Sequence, residues 1–97
     1  MTHSLHLYLP KLSYRKTLED VLRGTSDANI RFADLRKVLE ALGFSERTRG
    51  DHHIFSRGGV DEILNLQPNG SKAKAYQVKQ VRGVILKYEL AIDAEDQ

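Results

Sequence analysis

Glycines at positions 43, 50, 58 and 59 cut residues 44–67 into short runs, none long enough for an ordinary helix. The runs Phe44 to Thr48, His52 to Ser56 and Val60 to Gln67 have strand character. Gly50 sits in the first gap and Gly58-Gly59 in the second, and a Gly-Gly pair between strand-like runs predicts a hairpin turn because glycine tolerates positive φ. A three-stranded antiparallel sheet follows from that punctuation.

Amphipathic segments flank the strands. Leu35, Val38, Leu39 and Leu42 fall on one narrow helical face while Arg36, Lys37 and Glu40 point away, and Gly43 supplies a left-handed stop. From Tyr76 to Tyr88 the residues Val78, Val81, Val84, Ile85 and Tyr88 share a face, with Lys79, Arg82, Gly83 and Lys87 on the other; Leu86 falls on the exposed side. An earlier helix is predicted over Tyr14 to Arg23 from Tyr14, Leu18, Val21 and Leu22, with Ser13 capping its start and Gly24 ending it. Leu5, Leu7 and Leu9 alternate as in a strand until Pro10 ends the run. Residues 25–29 read as a polar connection and 68–75, PNGSKAKA, as a basic loop with a tight turn at Asn69-Gly70. The expected class is α+β: a three-stranded antiparallel sheet packed against two helices, with an extra N-terminal helix and one sheet face left open.

A chain of 97 residues makes one small domain, which buries only about 60–70% of the surface its unfolded chain exposes. A large enclosed active site is not expected. There is no cysteine, so neither disulfides nor thiolate-bound zinc staple the fold. The opening lacks the pattern of a signal peptide, and no apolar run has the length of a membrane span, so a soluble, cytoplasmic protein is expected. Residues 1–88 hold fifteen Lys and Arg against nine Asp and Glu, the other four acids being Glu89, Asp93, Glu95 and Asp96. From Pro68 to Lys87 every charged residue is positive. Such a surface suits phosphate, although a solvated lysine-rich helix face has the same composition.

The stretch RGDHHIFSRGG, residues 49–59, carries adjacent histidines. Neighbouring strand residues point to opposite faces, so His52 and His53 do not readily bind one ion, and no zinc-type spacing occurs around them or around His3 and His6. Arg49-Gly50-Asp51 matches an adhesion tripeptide without a secretory context, and no serine sits in a GxSxG elbow. Imidazole beside positive charge leaves acid-base work on RNA, whose ribose 2′-hydroxyl is its own nucleophile. Arg47, Arg49, Arg57, Lys72 and Lys74 flank the pair and are candidate backbone contacts. Residues alone favour an idle His52 on a wet sheet face and a partly buried His53 packed near Phe55.

The stretch LRKVLEALGFSERTRGDHHIF resembles the HicA family of small toxins from toxin-antitoxin systems. Leu42-Gly43-Phe44 and Gly50-Asp51-His52-His53-Ile54-Phe55 stand in the family's order and spacing, and EILNLQP and QVKQVRGVILKYEL look like its third strand and closing helix. The similarity covers residues 30–90, preceded by an extension over 1–29 and followed by an acidic tail over 91–97. It implies a fold similar to the double-stranded RNA-binding domain, α-β-β-β-α. It also implies a ribosome-independent mRNA interferase silenced by a HicB-type antitoxin, and the lack of a metal-ligand set in the residues adds the expectation of metal-independent cleavage with no cofactor. The family's functional histidine maps onto His52 and its glycine onto Gly50; Asp51 stands where the family usually has serine. A non-catalytic RNA-binding module of the same fold is the alternative reading.

Overall fold

The computed structural model describes residues 14–92. The alternating leucines of residues 5–9, the Ser13 cap and most of the acidic tail lie outside them. Helix α1 occupies residues 14–23 and stops at Gly24, whose φ is +77°. A short 3-10 turn, Asp27–Asn29, leads into α2, Phe32–Ala41. Strands β1, Ser45–Arg49, β2, His52–Arg57, and β3, Val60–Leu66, form an antiparallel sheet in the order β1-β2-β3. A second, two-stranded sheet pairs β4, Pro68–Asn69, with β5, Lys72–Ala73, before α3, Ala75–Lys87, closes the fold.

The α2 helix ends as its sequence predicts. Gly43, at φ +95°, lets its own N–H reach the Glu40 carbonyl and the Phe44 N–H reach Leu39, which satisfies two carbonyls that the helix leaves without partners. The end of α3 has the same pair of bonds, Glu89 to Leu86 and Leu90 to Ile85, but the left-handed position holds Glu89 at φ +51°. No sequence cue marks that stop. In the β1-β2 turn Gly50 takes φ +62°; between β2 and β3 only Gly59 is positive, so Gly58 is not needed for its conformational freedom.

Residues 68–75 differ from the loop expected. Asn69 pairs with Lys72 around Gly70, at φ +63°, and the resulting hairpin is stitched to the start of α2 by Phe32 N–H to Ser71 and Ala73 N–H to Ile30. Burial of Ala73 and these backbone bonds give the segment fixed partners that a local reading of its polar composition does not supply.

Leu35, Val38 and Leu39 of α2 and Val78, Val81, Val84 and Ile85 of α3 form one core with Phe55, Leu64 and Leu66 of the sheet. Val21 of α1 is fully buried in the same core, and the carbonyl of Val21 accepts from Arg82, whose guanidinium also grips Asp27 through two bonds of 2.9 and 3.1 Å. The N-terminal helix is thereby tied to α3. Leu86 is exposed, as its place on the helix predicts. No described helix is long and apolar enough to cross a membrane.

Candidate functional site

Alternation along β2 assigns its two histidines to different faces, and the register decides which is which. His53 pairs with Thr48 and Leu66, and Phe55 with Glu46 and Leu64, so buried Phe55, Leu64 and Leu66 mark that face as the one under the helices. His52 occupies the opposite face, directly across from Arg49 of β1. Next along the same face, Ile54 pairs with Arg47 on one side and Asn65 on the other. Two arginines, one histidine and one asparagine thus share the open sheet, with exposed Ile63 two residues from Asn65 on β3.

His52 is half exposed. Its Nδ1 lies 3.0 Å from Oδ1 of Asn65, and because a carbonyl oxygen can only accept, Nδ1 carries the proton. In the neutral ring Nε2 then presents its lone pair, the arrangement a general base needs. Nε2 faces the Asp51 carboxylate at 3.9 Å. The other oxygen of Asp51 accepts from the Gln67 side-chain amide at 2.7 Å, and Gln67 Oε1 accepts from Lys74 Nζ at 3.3 Å. Hydrogen bonds from Gln67 and from its own backbone N–H hold the Asp51 carboxyl below the usual carboxylate range, with His52 and Lys74 adding attraction.

His53 has a different neighbourhood. Its side chain is largely buried, stands edge-on to Phe32 at 4.9 Å between ring centroids, and meets Glu46 through Nδ1 at 2.6 Å. Arg36 completes the group with two contacts of 2.9 Å to the same carboxylate. Burial alone would raise the Glu46 carboxyl, but hydrogen bonds from Arg36 and His53 outweigh it and hold the group below its ordinary value. These contacts fasten α2 to the sheet.

The cations divide likewise. Arg47 and Arg49 lie exposed on the His52 face, and Lys74 joins it through Gln67. Lys72 donates to Asn29 at 3.0 Å, beside the 3-10 turn, and shares with Lys74, Asn69 and Tyr76 the wall of a shallow depression. Arg57 is not brought to this group: its Nε donates to the Leu42 carbonyl at 2.8 Å and Nη1 to Gly58, closing the C-terminus of α2. Gly50 has open space where a Cβ would stand, so its positive φ, and not crowding, is what the turn demands.

Asn65 and Gln67 were not apparent as site residues in the sequence, and neither was Gln77. Their only signal is alternation along β3, which puts Asn65 and Gln67 on one face without saying which histidine they meet. Gln77 of α3 is buried; its Oε1 accepts from the Gln67 N–H at 3.1 Å and its Nε2 donates to the Asn65 carbonyl at 3.3 Å. One side chain therefore fixes the backbone beneath both polar residues. Among the described residues no three His, Asp or Glu side chains gather as a metal site requires. Compared with protein-family models, curated proteins and solved structures, the chain matches none.

Proposed function

We propose that the protein is an mRNA-cleaving endoribonuclease of the HicA type, with His52 as its general acid-base group and a fold of the double-stranded RNA-binding class. The observation that carries this reading is the half-exposed His52 imidazole, held at Nδ1 by Asn65 on a sheet face that also bears Arg47 and Arg49. Nε2 takes the proton of a ribose 2′-hydroxyl or returns one to the departing 5′-oxygen. The 2′-oxygen attacks the adjacent phosphorus while the bond from phosphorus to the 5′-oxygen breaks, leaving a cyclic phosphate and a 5′-hydroxyl. Arg47, Arg49, Lys72 and Lys74 neutralise phosphate and hold the strand, and Gly50 supplies the positive φ of the turn that leads into His52.

The reading extends to biology through the HicA resemblance: a cytoplasmic toxin held silent by a HicB-type antitoxin that covers His52 and the nearby cations. Expression with and without the neighbouring gene, scored for growth arrest, tests that pairing.

Incubation of the purified protein with a labelled single-stranded transcript tests the chemistry. Cleavage should persist in EDTA and fall by about 10²–10⁴ in His52→Ala with an unchanged circular dichroism spectrum. Asn65→Ala should lower the rate by about tenfold through loss of ring orientation. Asn65→Asp keeps the acceptor, restores most of the rate and moves the pH optimum upward, because a carboxylate at Nδ1 favours the charged ring. Unimpaired cleavage by His52→Ala removes the mechanism. Retarded but intact RNA assigns the same surface to a binding module.

A further inference from the structure

The side chains around the β1-β2 turn converge on an anion the protein itself supplies. Asp51 is two-thirds exposed, yet its carboxylate receives the Gln67 amide at 2.7 Å, faces Nε2 of His52 at 3.9 Å, and sits near the Lys74 ammonium that Gln67 Oε1 holds at 3.3 Å. The Gln67 amide N–H is the direct donor to this carboxylate, the Lys74 ammonium adds attraction from behind Gln67, and the His52 ring adds a donor N–H at Nε2 when it is protonated; together they suit a phosphate. The Gln67 backbone is fixed by the bond from its N–H to buried Gln77, and its side-chain oxygen is held by Lys74. Asp51, by contrast, stands on a two-residue turn with solvent on most of its surface, so its side chain can rotate out by its χ angles alone.

We infer that Gln67, Lys74 and His52 form a phosphate subsite that the Asp51 carboxylate occupies when no substrate is bound, making Asp51 a built-in competitor of the RNA backbone. The subsite stands on this geometry; only the assignment of its phosphate to RNA rests on the function proposed above. A phosphate entering the subsite must displace the carboxylate from Gln67 and then lie beside a like charge. Asp51→Asn keeps an oxygen to accept from Gln67 while removing that charge.

The test is an NMR titration of wild type, Asp51→Asn and the double variant Asp51→Asn/Gln67→Ala with orthophosphate and with uridine 3′-monophosphate. Binding is read at the His52 ring and, where present, the Gln67 side-chain amide, with backbone spectra confirming the fold of each variant. Asp51→Asn should bind both probes about fivefold more tightly than wild type, the factor for removing one charge about 4 Å from the anion under bulk-water screening. The double variant should lose most of that gain. Equal affinities in wild type and Asp51→Asn, or a double variant that binds as tightly as Asp51→Asn, overturn the subsite.

A parallel assay at limiting transcript separates the two proposals. A matching rise in cleavage by Asp51→Asn supports both. Tighter phosphate binding with RNA neither cleaved nor retarded keeps the subsite and removes RNA as its ligand. Cleavage by wild type with no change in either assay on Asp51→Asn leaves the nuclease standing and rejects Asp51 as competitor.

Discussion

Gln77→Leu is the substitution that isolates how α3 supports the site. Glutamine and leucine are close in volume and in helix propensity, so the exchange leaves packing and backbone preference nearly unchanged. What it removes is the pair of bonds to the Gln67 N–H and the Asn65 carbonyl, at 3.1 and 3.3 Å. Gln77 is only 5% exposed, so both backbone groups would be left beside an apolar side chain with little access to water. Each unpaired group costs about 1–3 kcal/mol, and the more favourable burial of leucine returns about 1–2 kcal/mol. Taken at the middle of these ranges, two unpaired groups less the leucine gain leave a net loss of about 2–3 kcal/mol.

For a domain of this size that loss lowers the thermal midpoint by about 10–20 °C. In urea the midpoint should fall by about 2 M with an unchanged slope. Cleavage measured well below the new midpoint should also drop, because Asn65 and Gln67 lose the anchor that positions them toward His52 and Asp51. A stability change under about 0.5 kcal/mol would show that the two backbone groups find other partners, and the account of Gln77 as the clamp beneath the site would be refuted.

Two further outcomes follow from the two ends of α3 and β3. Hydrogen bonds from Tyr88 at 2.6 Å and Lys87 at 2.9 Å depress the Glu62 carboxyl to about 2, so its contribution to stability is complete above its ordinary value near 4.5 and is lost as pH falls through about 2. Thermal midpoints of wild type and Glu62→Gln should therefore differ at neutral pH and converge between pH 4.5 and about 2; a gap that stays constant contradicts the linkage. Glu89→Gly relieves a non-glycine residue at φ +51° and should stabilise the protein by about 1 kcal/mol in urea unfolding, whereas a loss would mean that the glutamate side chain outweighs its backbone strain.

Much of the framework was legible because it is local. The periodicity of Leu35, Val38, Leu39 and Leu42 and the glycine after them specify α2 and its stop, and each of the three strands lies within about one residue of its expected bounds. The opposite fates of His52 and His53 were also accessible, since adjacent strand residues must face opposite ways. The stop at Glu89 was not, because tertiary packing of Leu90 and the last turn of α3 holds an unfavoured backbone angle there.

The site itself divides along the same line. The chain's order of residues determined that a histidine, two arginines and a tight glycine turn would lie within one hairpin, because turn chemistry and a period of two act over a few neighbours. Only the folded structure decided which polar groups face that histidine. Register with β3 brings Asn65 to its Nδ1, Gln67 relays Lys74 to the turn, and Arg57, equally cationic and nearby in sequence, is drawn to the end of α2. The bonds made by His52, Arg57 and Asp51 join residues 13 to 16 positions apart and that of Lys74 spans 7, so they depend on how strands and helices pack. No local preference encodes them.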